Sequence, residues 1–103
     1  MNASNYPPLN VLCAVKSRES NKLRYKITPF RFMKQNGETF RINEIRHYHR
    51  DIKGKGEHYH YIVEVGEHRY CRILFDTNTF TWRLIQDIKM GETESFKEIE
   101  KKV

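Results

Sequence analysis

Four histidines occupy two copies of one pattern, His47-Tyr48-His49 and His58-Tyr59-His60. Alternate side chains of an extended strand share a face, so each copy presents both imidazoles to the same side. Neutral imidazole is a ligand for zinc and other late transition metals, and two histidines at alternate strand positions can share one ion. With Ile45 opposite Ile62 in an antiparallel pair, His47 faces His60, His49 faces His58, and the four rings converge. This register places no carboxylate among them, although Asp51 and Glu57 are near along the chain. The competing reading makes the histidines exposed rim residues flanking tyrosines, because short spacing patterns also arise by chance. Clustered without metal, the imidazoles would resist charging by mutual repulsion, and stability would fall in acid.

A second constellation combines tyrosine with arginine. The expected register sets Tyr61, Arg72 and Arg83 on one face with Tyr59, Val63, Tyr70 and Leu74, and Arg46 joins the row. The loop Lys53-Gly54-Lys55-Gly56 adds two cations at its edge, Lys53 and Lys55. Aromatic rings interleaved with arginine on an open sheet stack unpaired bases while the cations hold phosphates. The expected partner is therefore single-stranded nucleic acid. Tyrosine and arginine are also enriched in protein–protein hot spots, so a protein partner or a homodimer using the same face is the alternative. A His-rich metal-binding protein is the second alternative, with zinc at His47, His49, His58 and His60 as its cofactor.

The elements that must carry these side chains are strands. Apolar and aromatic residues come in short runs broken by turn residues, the all-β pattern. Five strands are expected, at about 23–34, 38–50, 58–65, 68–75 and 80–88. Residues 1–22 read as a mobile leader in which Leu9 to Val15 can pack on the body, and 89–103 as a tail. Ser95 and Glu98 form a capping box, with Phe96, Ile99 and Val103 at helical spacing, which predicts a short C-terminal helix.

The turns set the register. A three-residue loop, Gln35-Asn36-Gly37, with Gly37 left-handed, pairs Phe32 with Phe40 and Phe30 with Ile42. A two-residue turn at Gly66-Glu67 pairs Val63 with Tyr70 and Ile62 with Cys71. The loop Asp76 to Thr79 pairs Phe75 with Phe80 and Ile73 with Trp82. The core face then holds Ile62, Cys71, Ile73, Phe75, Phe80, Trp82 and Leu84. Pro29 interrupts the first strand, and a bulge is expected near Asn43-Glu44; two such bends curl a small sheet. The expected fold is a five-stranded, strongly curved antiparallel meander, a small barrel or roll of SH3-like shape.

Composition bounds the rest. The 103 residues suit one domain. Net charge is +6 and aromatics make up 13%, too many for wholesale disorder. Residues 89–103 balance four Lys against four Glu, so the whole excess lies on residues 1–88. No apolar run approaches the ~20 residues that span a bilayer, and no basic, then apolar, N-terminal segment marks a secretory leader. Cys13 and Cys71 are too few for a disulfide framework. The expected compartment is the cytoplasm, with no membrane partner. No nucleophile elbow, phosphate loop or paired-cysteine motif occurs, and Glu38, Glu44, Glu64, Asp76 and Asp87 fall at turns or exposed strand positions. Noncatalytic binding is expected rather than enzymatic activity.

From Phe30 to Ile88 the chain resembles a group of short uncharacterised bacterial proteins. The matching pieces are Arg31-Phe32, Gly37, Phe40-Arg41-Ile42, Tyr61 to Val63, Leu74-Phe75-Asp76 and Trp82-Arg83-Leu84. The resemblance implies a small β-domain, and the linkage of some members to DNA-repair operons favours the nucleic-acid reading. The doubled His-x-His lies outside that pattern, and no functional residue carries over.

Overall fold

The computed structural model describes residues 5–17 and 25–89. Seven strands form one antiparallel sheet: β1 (Pro8–Ser17), β2 (Tyr25–Met33), β3 (Thr39–Arg41), β4 (Glu44–Lys53), β5 (Gly56–Gly66), β6 (Arg69–Asp76) and β7 (Thr81–Lys89). Their order across the sheet is β3-β2-β1-β7-β6-β5-β4. Two strands enlarge the expected five. β1 comes from the segment read as leader, and the expected strand 38–50 is divided into β3 and β4.

That division explains the curl. β3 and β4 lie at opposite edges of the sheet, yet only Ile42 and Asn43 separate them in sequence. The Ile42 amide donates to the Phe30 carbonyl of β2 at 2.9 Å, and the next amide, Asn43, donates to Glu64 of β5 at 2.8 Å. Two consecutive residues thus bond to the two sides of the sheet, which must bend into a half-barrel closed at this end. Between β1 and β7 the ladder is short, Pro8 with Arg83 and Leu9 with Trp82, backed by the Leu84 amide donating to Pro7.

The β2–β3 turn follows expectation. Phe32 pairs with Phe40, and Gly37 takes a left-handed φ of 88° that glycine alone adopts without strain. The β5–β6 turn does not. The reversal falls one residue later, on Glu67-His68, with His68 left-handed at φ 55° and an irregularity between Glu64 and Gly66. Val63 therefore pairs with Cys71 and Ile62 with Arg72. A one-residue slip turns a whole strand over. Tyr59, Tyr61 and Val63 consequently join Cys71, Ile73, Phe75 and Trp82 on the inner face, while Ile62 moves outside with Tyr70 and Ile88. Between β6 and β7 the slip is two residues, with Phe75 opposite Trp82, so the expected face survives except for Phe80, which falls in the turn and is exposed.

The inner face is the core, completed by Leu9, Phe32 and Phe40. The Tyr61 hydroxyl donates at 2.7 Å to the carbonyl of Ile27 on β2, a strand that is not its neighbour, and so ties the two walls across the interior. At the closed end Asp87 accepts from Lys34 and from Arg69, each at 2.8 Å, and Arg69 lies 4.5 Å over the Phe40 ring. Those two cations hold the Asp87 carboxyl down to about 2. No helix occurs among the described residues, and none is long and apolar enough to cross a membrane. The expected helix at 95–103 lies outside the described residues.

Candidate metal centre

The histidines come together through a slip in β4. An irregularity between Ile45 and His47 sets Ile45 opposite Val63, after which His47 faces Ile62, His49 faces His60 and Asp51 faces His58. The partners differ by two positions from those expected, which preserves the face and brings in a carboxylate. His49, Asp51 and His60 each offer a donor atom, all within 4.8 Å of one another. Asp51 Oδ2 lies 3.2 Å from His60 Nε2 and 3.6 Å from His49 Nε2. The His49 and His60 rings stack at 4.3 Å, nearly parallel at 9°.

His60 is the unusual member. Both of its ring nitrogens are buried without a hydrogen-bond partner; the Asp51 carboxylate is close to Nε2 but out of line for one. Burial, then the neighbouring charges of His49, Arg72 and His58, lower its pKa to about 4 against the pull of Asp51. Its imidazole is therefore neutral near pH 7, the form that ligates metal. Orphaned buried polar atoms are uncommon and costly, ~1–3 kcal/mol each, which marks the position as built for something besides packing.

His58 stands beside the triad, its ring edge-on to His60 at 6.2 Å and its Nε2 3.4 Å from the buried Asp76. His47 is exposed, 5.6 Å from His49, and outside the triad. Of the four expected ligands the structure thus joins two closely, keeps a third adjacent and leaves the fourth at the rim. Asp51 was the omission. Its signal is in the sequence, because His49-Arg50-Asp51 places it on the His49 face by strand alternation.

An ion about 2.0–2.2 Å from nitrogen and oxygen ligands fits this set in type. The parallel lone pairs of the stacked rings must splay to converge on it. His49 can turn, since β4 is an edge strand and its side chain is 40% exposed. Three protein ligands leave a fourth tetrahedral position for water or for His58.

The residues expected to bind nucleic acid separate. Tyr61 is in the core at 2% exposure, on the face away from Arg72. Arg72 and Arg83 share the outer face with the histidines, and Arg83 donates to the Tyr6 carbonyl at 3.0 Å. Arg46 bonds Glu64 at 3.0 Å and lies 3.4 Å from Glu44. Lys53 and Lys55 are exposed at the β4–β5 turn. The register correction at Glu67-His68 is the cause, because it turns Tyr59 and Tyr61 inward and leaves the arginines outside.

No family model, curated protein or solved structure matches this chain.

Proposed function

We propose that this protein is a noncatalytic metal-binding module that takes one zinc-class ion at His49, Asp51 and His60. The observation that carries the reading is the buried, unpartnered Nε2 of His60, facing a second imidazole and a carboxylate within ligand range. His58 or water completes the shell, and Asp76 orients His58 through its Nε2 if Nδ1 is the ligating atom. Single-stranded nucleic acid has weaker support. Its stacking residue Tyr61 is buried and Arg46 is engaged by two carboxylates, so the cations of that set that face outward, Arg72 and Arg83, have no aromatic platform between them.

Calorimetric titration of chelator-treated protein with zinc tests the proposal. One ion per chain is expected, with a rise in thermal midpoint as zinc binds the folded state. His60→Leu and Asp51→Asn are each expected to remove most of the heat. Absence of binding, or binding that survives His60→Leu, overturns the assignment.

A further inference from the structure

The half-barrel encloses a second feature, on the opposite face of the sheet from the histidines. A cavity of about 730 Å³ opens at the end away from the Ile42–Asn43 closure. One wall is Cys13, Val15 and Ile27 of the β1–β2 hairpin; the other is Tyr59, Phe75 and Trp82. Its size is that of a small-molecule site, and its lining is largely apolar and aromatic.

Charge at the mouth is one-sided. The Glu57 carboxylate is already engaged, accepting from the Tyr59 hydroxyl at 2.5 Å and lying 3.5 Å from Arg50. Lys55 also lines the cavity and has no ion-pair partner among the described residues. Phe80 stands on the lip, 80% exposed, with a left-handed φ of 56° that an aromatic residue rarely adopts. Its ring meets Phe75 edge-on at 5.4 Å, extending the aromatic wall outward.

We infer that the cavity binds an apolar small acid, its chain among Tyr59, Phe75 and Trp82 and its carboxylate on Lys55. The inner wall supplies burial and Lys55 supplies the choice of head group. This site is distinct from the metal triad, which has strand β5 in common with it but lies on the outer face.

Trp82 is the single tryptophan and lines the cavity, so its fluorescence reports occupancy directly. The full chain is titrated with dodecanoate, dodecanol and dodecylammonium below their micelle concentrations. Dodecanoate is expected to bind about two- to fivefold more tightly than dodecanol, the worth of one solvent-accessible ion pair, with dodecylammonium weakest. Lys55→Gln should erase the preference for the acid and leave dodecanol unchanged. Cys13→Phe, which fills the cavity from the hairpin wall, should weaken all three while circular dichroism stays constant. Equal binding of the three amphiphiles overturns the head-group assignment. No fluorescence change with any of them overturns the site, and is the result expected if residues 90–103 or a second copy of the chain occupy it.

Discussion

Asp87 and His60 are both partly buried titratable groups on one sheet, and their surroundings treat them in opposite ways. Asp87 receives Arg69 and Lys34 directly, with the Cys71 thiol 3.7 Å away, so its charge is answered on several sides. His60 has a stacked imidazole, a carboxylate out of line and two silent nitrogens. A completed cluster has no capacity left for a ligand and acts as a fastener. An incomplete one holds the free valence that binding needs. The difference separates structure from function here better than residue type does, since both clusters set nitrogen-bearing side chains around a carboxylate.

The comparison can be broken first at Asp87. Asp87→Ala removes the shared acceptor of two cations and is expected to cost ~1–3 kcal/mol in urea denaturation. An unchanged midpoint would strip the cluster of its structural role. Acid gives a second test of the same group. The Asp87 carboxyl is held at about 2 in the folded state against an ordinary 3.8, so its contribution is complete above pH 3.8 and fades as pH falls toward 2. The gap between wild type and Asp87→Asn should therefore close over that range.

Tyr61 is an intermediate case, a buried hydroxyl with one partner. Tyr61→Phe keeps the ring and removes the bond to Ile27, an expected loss of ~1 kcal/mol by the same measurement. The smallest effect is expected at the triad itself. His60→Leu replaces two unsatisfied nitrogens with apolar surface and should leave stability of the metal-free protein within ~0.5 kcal/mol of wild type, or raise it. A large loss there would make His60 a packing residue after all, and would erase the contrast with Asp87.

Local chemistry was the legible part of this sequence. The Gln35-Asn36-Gly37 loop, the Phe32–Phe40 pair and the break at Pro29 follow from turn residues and parity, and all three occur. The failure at β5–β6 has an equally local origin. Gly66 looks like the first residue of the turn, but the chain leaves it in the strand and forces His68 into a left-handed conformation instead. From that single position Tyr59 and Tyr61 change sides and the stacking platform dissolves. β1 was missed for a different reason. Its inward residues Leu9, Val11 and Cys13 pack on strands far away in sequence, and a short apolar run carries no sign of such partners. The triad lies between these cases: parity put His49, Asp51 and His60 on one face, but only the irregularity at Ile45–His47 made them meet.

The short β1–β7 ladder has a kinetic meaning. It divides the sheet into two continuous zippers, β1–β3 and β4–β7, that share two residue pairs and a two-residue tether at Ile42–Asn43. Each zipper can hold its own amides against solvent while the seam between them breathes, so the amides of Leu9 and Leu84 should exchange with deuterium ahead of those deep in either half. Because the cavity has one wall in each zipper, that breathing should also vary the spacing of its walls.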